Sequence, residues 1–302
     1  MAITVSTYSN KVSTPDELLD WAIKYIDPRD NDAMLAASEH LYALYNNKKF
    51  ILNAVRDEIL ALLNNDPFPR VAPQAINFGM RKNKDNLFYV RTVIWSPPLT
   101  KNPKSSILQN EIYSYGNPHD HNFSLLTIGY KGEGYGTKIY EYDREKMIGY
   151  VGEHVPLTYL ETTELLEGKI IYFRPLKDVH LQFPPREVSI SLNLIGEHID
   201  HKMKAQFEFD IKNQKIMTLL QGNLVHKQIQ PFEIIKHIEA DAELIYLVSE
   251  LALKHPVEYA RSSAYKTLSI IAPTEFEEIL SKGFKDNSAL VKHTINEILG
   301  KF

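Results

Sequence analysis

From about Phe88 to Met217 the apolar residues of this chain tend to fall at every second position, in short runs separated by Gly, Pro and Asn. Side chains alternate faces along a strand but recur every ~3.6 residues on a helix, so this spacing commits the middle of the chain to β-structure. The runs are "LFYVRTVIW" (Leu87–Trp95), "EIYSY" (Glu111–Tyr115), "FSLLTI" (Phe123–Ile128), "TKIYEYD" (Thr137–Asp143), "KIIYFRP" (Lys169–Pro175), "VSISLNLI" (Val188–Ile195) and "AQFEFDI" (Ala205–Ile211). Short strands rich in β-branched and aromatic residues, with turn signals between them, predict an antiparallel barrel or sandwich. The glycine-rich "GYKGEGYG" (Gly129–Gly136) is expected to make a hairpin turn or bulge. No helix follows it to offer an N-terminus to phosphate, so a dinucleotide loop is not expected.

Helical signals flank this region. Thr14-Pro15-Asp16-Glu17 reads as a capping box with proline in the first turn, leading into Leu18, Leu19, Ala22 and Ile23. Asp30 or Asn31 can cap a second helix, and a third runs through Phe50–Leu63 to stop at "NNDPFP" (Asn64–Pro69). After Pro231 come amphipathic segments, among them "DAELIYLVSELALKH" and "SALVKHTINEILG", with Pro- or Gly-marked breaks. The expected class is therefore α+β: an N-terminal helical region (1–69), a β-barrel (70–229) and a C-terminal helical region (230–302).

Composition narrows the partners. The net charge of −4 gives no electrostatic reason to expect nucleic acid or an anionic membrane. No apolar stretch is long enough to span a bilayer, and the first residues show no basic segment followed by an apolar one, so a cytoplasmic protein is expected. There are no cysteines. Any metal must then be held by His, carboxylates or carbonyls, and thiol nucleophiles are excluded.

The chemistry-bearing residues concentrate in the β region. In "GNPHDHNF" (Gly116–Phe123), His119 and His121 stand two apart and project from one face of an extended chain, an arrangement suited to a metal ion. Along "VSISLNLI", Val188, Ile190, Leu192 and Leu194 share one face, and Ser189, Ser191 and Asn193 the other. Tyr140 or Tyr142 is a candidate acid or hydrogen-bond donor if it faces a cavity. His198 and His201, spaced three apart in "GEHIDH", are expected in an exposed loop.

About sixty residues beyond the first histidines, "EGKIIYFRPLKDVHLQF" (Glu167–Phe183) places Gly168, then Pro175, then His180 at the start of the next strand. Taken with Gly116, His119, His121 and Gly129 or Gly132, these residues resemble the two motifs of the cupin superfamily, over the central region only. Leu125 and Leu126 stand where that family usually has a Glu ligand, Lys177 where it has Gly, and Pro184 where it has Asn. The remaining three-histidine set looks like the thiol-dioxygenase branch. That resemblance implies a jelly-roll barrel with ferrous iron held by His119, His121 and His180, though imidazoles also suit Ni, Cu, Zn or Mn. It further implies that Arg91 clamps a substrate carboxylate and that Asn193 lies near the metal. Gln182, two residues after His180, would also point inward. Asn193 and Ile195 fall where the cysteine-oxidising enzymes hold a His and a catalytic Tyr, so cysteine is not the expected substrate.

The function expected is an iron oxygenase or dioxygenase acting on a small or carrier-bound organic substrate with dioxygen. The alternatives are a redox-neutral isomerase or hydrolase, or a non-catalytic ligand-binding or regulatory module whose helical flanks dock a partner. A homodimer is expected from the family.

Overall fold

The computed structural model describes residues 3–64, 74–98, 103–221 and 223–301. They form two compact units, one of residues 1–142 and 157–201, the other of residues 143–156 and 202–302. The boundary expected after residue 69 lies outside the described residues.

The first unit opens with strand β1 (Ile3–Val5) and helices α1 (Pro15–Tyr25), α2 (Asn31–Ala36), α3 (Ser38–Asn46) and α4 (Lys49–Leu63). The capping box is present: Thr14 Oγ1 accepts from the Glu17 amide, and the Glu17 carboxylate accepts from the Thr14 amide at 2.8 Å. Asp30 caps α2 by accepting from the amides of Asp32 and Ala33. There follow β2 (Ala75–Lys82), β3 (Asn86–Trp95), α5 (Pro103–Tyr113), β4 (His119–Asp120), β5 (Ser124–Lys131), β6 (Gly136–Glu141), β7 (Thr158–Glu164), β8 (Ile170–Phe173), β9 (Asp178–Phe183), β10 (Ser189–His198) and α6 (Ile199–Lys202).

All strand pairs are antiparallel. One sheet runs β1-β8-β5-β10-β3-β2, and the strands of the other within this unit run β4-β9-β6-β7. From β3 to β10 the chain changes sheet at almost every connection, which is the winding of a double-sheet jelly roll. The α+β class expected from the sequence is what the structure has. Two local readings change, and one strand was not foreseen. "EIYSY" is not a strand, because Glu111–Tyr113 close α5. "GYKGEGYG" is a bulge and not a hairpin: β5 and β6 belong to different sheets, while Lys131 and Gly129 pair with the successive residues Ile190 and Ser191, leaving Tyr130 as the extra residue. Gly134 there has φ +74°, and a Cβ on it would lie 1.9 Å from the Leu165 carbonyl oxygen, so the crossing needs glycine. Strand β2, unread in the sequence, carries a bulge between Asn77 and Gly79 that breaks its alternation.

Two cores follow from the alternation. The outward residues Phe88 and Val90 of β3, Leu126 and Ile128 of β5, and Leu192 and Leu194 of β10 are buried against Leu18, Leu19, Met34, Leu41 and Leu44 of α1 to α3. The first three helices thus cover one face of the larger sheet, and each fully buried Leu there is worth roughly 1.5–3 kcal/mol. Ser124 Oγ donates to the Pro28 carbonyl at 2.6 Å and Tyr172 Oη to Asn31 Oδ1 at 2.8 Å, fixing the helices' register on the sheet. On the inner face, Val93, Trp95, Leu125, Ile171, Phe173 and Ile195 of the larger sheet meet Ile139 of the smaller and Tyr135 beside it. The cavity described below opens in this layer.

The second unit holds the hairpin β11 (Phe207–Asp210) and β12 (Lys215–Leu219), followed by α7 (Leu224–Ile235), α8 (Ala242–Lys254), α9 (Glu258–Ile271), α10 (Pro273–Gly283) and α11 (Ala289–Ile298). Helix α7 begins ahead of Pro231, capped by Asn223, and carries the proline inside it. Helix α9 is central, with Tyr259, Ala264, Tyr265 and Leu268 all buried. Among the described residues, no helix is long and apolar enough to cross a membrane.

Candidate metal centre

The register of β4 against β9 sets His119 directly opposite His180. His121 follows two residues after His119 on the same extended stretch. Backbone bonds fix both ends of that stretch: the Gly116 amide donates to the Gln182 carbonyl at 3.0 Å, and the Leu176 amide to the His121 carbonyl at 2.7 Å. Gly116 has φ +79°, a turn conformation that glycine adopts without penalty. The turn before β9 is closed by a buried ion pair in which the Asp178 carboxylate accepts from the Arg174 amide at 2.7 Å and from its guanidinium, while Arg174 also reaches Glu141 at 3.0 Å.

The three rings converge. His180 Nε2 lies 3.1 Å from His119 Nε2 and 3.3 Å from His121 Nε2. All three side chains are buried, His180 to 1 % exposure. Burial holds each imidazole below its ordinary pKa, and the neighbouring rings, with Arg91 beside His121, push the same way, leaving His121 and His180 well below it. The rings are therefore neutral at pH 7. His119 Nδ1 sits 2.8 Å from the Asn117 carbonyl oxygen. A carbonyl can only accept, so Nδ1 carries the proton and Nε2 presents a lone pair to the cluster. Phe123 stacks on His121 at 4.4 Å and Phe173 lies 4.6 Å from His180, so the cluster has an apolar wall.

The cluster fits a metal ion. Nitrogens bound about 2.0–2.1 Å from one ion stand roughly 2.9 Å apart at right angles and roughly 3.3 Å apart at tetrahedral angles, and the two separations seen here fall in that range. Facing lone pairs that close repel unless a proton or a cation lies between them. No carboxylate belongs to the group: among the described residues, His119, His121 and His180 form the one set of three or more His, Cys, Asp or Glu able to hold an ion. Leu125, which stands at the expected Glu position, lines the cavity instead.

The histidines edge a cavity of about 110 Å³, whose other walls include Arg91, Trp95, Tyr135, Gln182 and Asn193. Arg91 and Asn193 face each other across the β3–β10 pair, and Thr127 follows on β5. Thr127 Oγ1 donates to Asn193 Oδ1, Asn193 Nδ2 to Ser191 Oγ at 3.3 Å, and Trp95 Nε1 to Ser191 Oγ at 2.9 Å, so the Asn193 amide is held in one orientation. The Arg91 guanidinium differs: its Nε is buried and has no hydrogen-bond partner.

The structure thus gathers His119, His121, His180, Arg91, Asn193 and Gln182 around one cavity. Tyr140 is not among its walls. The phase of β6 turns Thr137 and Ile139 inward and Tyr140 to the opposite face, where its ring meets Tyr159 edge-on at 5.6 Å. Tyr142 is committed to a 2.6 Å hydrogen bond to Asp120 Oδ2. The tyrosine in the cavity is Tyr135, buried, held protonated because burial raises its pKa far above the ordinary value, and hydrogen-bonded to Gln182. It lies in the glycine-rich crossing, where alternation gives no signal. His198 is buried at the end of β10 rather than in an exposed loop, and its Nδ1 accepts from the Asp200 amide at 3.0 Å.

No protein-family model matches the chain, and no curated protein matches it. Solved structures similar to part of it include salicylate 1,2-dioxygenase from Pseudaminobacter salicylatoxidans, at 13 % identity over 49 % of this chain and 33 % of that one, with a TM-score of 0.25. An oxalate decarboxylase of Bacillus subtilis is similar at 11 % identity over 55 % and 37 % of the two chains, TM-score 0.23. A vicilin from Solanum melongena is similar at 6 % identity over 49 % and 34 %, TM-score 0.25. The chain spans about a third of the length of each of these proteins. Likeness this partial leaves the chemistry to be read from the site itself.

Proposed function

We propose that this chain is a mononuclear non-heme iron oxygenase of the cupin type, and that it oxidises a small organic anion, free or carrier-bound. The observation that carries the reading is the convergence of three neutral, buried imidazoles, with Nε2 separations of 3.1 and 3.3 Å, on the wall of a cavity that also holds an unpaired arginine. Ferrous iron would supply a coordination sphere in which substrate and dioxygen meet, with three protein ligands leaving positions open.

The chain's own residues define what enters. Arg91 is half-buried and its buried Nε has no partner, and a carboxylate is the group that satisfies its planar fork. Arg91 therefore selects an anion and orients it. Asn193, fixed by Thr127 and Ser191, offers a polar contact that need not reorganise when substrate arrives. A cavity of about 110 Å³ has room for roughly four water-sized groups, so the reacting part of the substrate is small even if a carrier extends beyond it. Trp95, Phe123 and Phe173 keep the surroundings apolar, which strengthens the Arg91–anion contact.

The test is anaerobic reconstitution of the full chain with ferrous iron, followed by oxygen uptake against a panel of small carboxylates, amino acids and carrier-bound acids. Uptake with an anionic substrate, lost in His180→Ala, supports the proposal. A protein that binds iron but consumes no oxygen with any of them is instead a redox-neutral enzyme or a binding module.

A further inference from the structure

Helices α8, α9 and α10 of the second unit border a cavity of about 600 Å³, within the size range of small-molecule sites. Its charged walls are Lys254, Arg261, Lys282, Lys285 and Asp286, four cations to one carboxylate. Three of these groups are already engaged. Asp286 accepts from Arg261 Nε and Nη2 at 2.8 and 2.9 Å, and Arg261 Nη1 donates to the His255 and Pro256 carbonyls at 2.7 and 3.2 Å. Lys254 pairs with Glu250 one turn earlier on α8. The Arg261–Asp286 pair thus ties the segment after α8 to the segment after α10 and fixes two walls. Lys282 and Lys285 have no ion-pair partner among the described residues.

The backbone sets these two lysines side by side. The Lys285 amide donates to the Lys282 carbonyl and the Asp286 amide to the Gly283 carbonyl, both at 3.1 Å, so α10 ends in a tight three-residue turn. Residues three apart in such a turn lie on one side of it. Between the lysines stands Gly283, where a Cβ would lie 3.1 Å from the Tyr265 hydroxyl oxygen and 2.1 Å from Ile295 Cδ1. Glycine therefore lets α10 seat directly on α9, and brings the Tyr265 hydroxyl to the foot of the lysine pair. Tyr265 is 1 % exposed, lines the cavity and has no hydrogen-bond partner among the described residues. Burial pushes its pKa up to about 12, so it is a donor at neutral pH.

A lysine in the last turn of a helix is favoured by the helix dipole, so Lys282 alone would say nothing of a ligand. The hydroxyl is different, because a tyrosine this buried normally finds a partner. Its free neighbours around the cavity are two ammonium groups. All three are donors, so the missing partner is an acceptor carrying negative charge. Three separate point donors suit the several oxygens of a phosphate. A carboxylate is matched by the planar fork of an arginine, which here is spent on Asp286. Leu253 and Pro256 add apolar wall for an organic body beyond the phosphate.

We propose that this cavity binds a phosphate ester of a small organic molecule, through Lys282, Lys285 and the Tyr265 hydroxyl. All its walls lie between residues 252 and 287, so the inference is independent of the metal centre.

Isothermal titration of the full chain with phenyl phosphate tests it, with benzoate as a carboxylate of similar body. Phenyl phosphate should bind at about one per chain with a Kd of about 1 mM or tighter. The double substitution Lys282→Gln/Lys285→Gln alters only exposed side chains and should weaken binding about tenfold or more. Tyr265→Phe should weaken it about fivefold, and Arg91→Met should leave it unchanged. Amide hydrogen exchange should show added protection at residues 252–256 and 282–287 when phenyl phosphate is present. A titration with no saturable binding up to about 10 mM overturns the proposal, as does binding that survives the double substitution, or benzoate held as tightly. A single-stranded oligonucleotide held more tightly than phenyl phosphate by the same lysines overturns it in favour of a nucleic-acid surface.

Discussion

At the scale of single residues, the site contrasts groups whose bonds are satisfied with groups that await one. Asn193 and His119 have their partners fixed, whereas Arg91 Nε has none. Arg91→Met should therefore leave metal content unchanged and cost little stability, because no hydrogen bond of the fold is removed. It should also raise KM for an anionic substrate, since a hydrogen bond to a charged group is worth about 1.5–3 kcal/mol, or roughly 10- to 100-fold. Metal loss in that variant, or an unchanged KM, would show that Arg91 does something else. Asp178 presents the opposite case, since its fully buried carboxylate is wholly engaged by Arg174. Asp178→Ala leaves that guanidinium with Glu141 alone, and denaturant titration should show a loss of about 3 kcal/mol, the low end for breaking a buried pair.

At the scale of elements, β10 separates stability from chemistry by alternation alone. Leu192 points into the helix-covered core and Asn193 into the cavity. Leu192→Ala should cost about 2–5 kcal/mol in denaturant titrations yet retain metal binding, because the removed atoms face away from the histidines. Loss of both together would mean that the two faces are coupled. This division was legible in the sequence because β10 alternates without a break, and the His119/His121 pair was legible because spacing two has a single meaning in extended chain. His180 needed the family resemblance, since its placement opposite His119 depends on pairing between segments sixty residues apart. Tyr140 was misread because the sequence fixes which residues of β6 share a face but not which face turns inward. The place of Tyr135 in the cavity and the existence of β2 were not legible, because a glycine-rich crossing and a bulge interrupt the period that alternation relies on. The cover that α1 to α3 give the larger sheet lies in long-range packing, of which the sequence reveals only that both partners are amphipathic.

At the scale of the whole molecule, the metal centre with its cavity lies entirely within the first unit, while acid sensitivity has a clear contributor in the second. Burial alone would raise the pKa of Asp286, but the hydrogen bonds from Arg261 and from the Ser288 amide more than reverse this and hold it below the ordinary carboxylate range. A carboxylate depressed in the folded state adds stability above its unfolded pKa, near 4, and that contribution is lost as pH falls through the folded value. The wild-type denaturation midpoint should accordingly drop below about pH 4, and Asp286→Asn should flatten part of that drop while being less stable at neutral pH. Parallel pH profiles for the two proteins would remove Asp286 from the account.

The most direct test of the account is equilibrium dialysis of ferrous iron, under anaerobic conditions, against the wild type and against His119→Ala, His121→Ala and His180→Ala. Three convergent neutral imidazoles predict about one ion per chain in the wild type and an affinity roughly 100-fold weaker, or worse, in each variant. A wild type that takes up no ion, or an ion held as tightly without His180 as with it, would contradict the central claim.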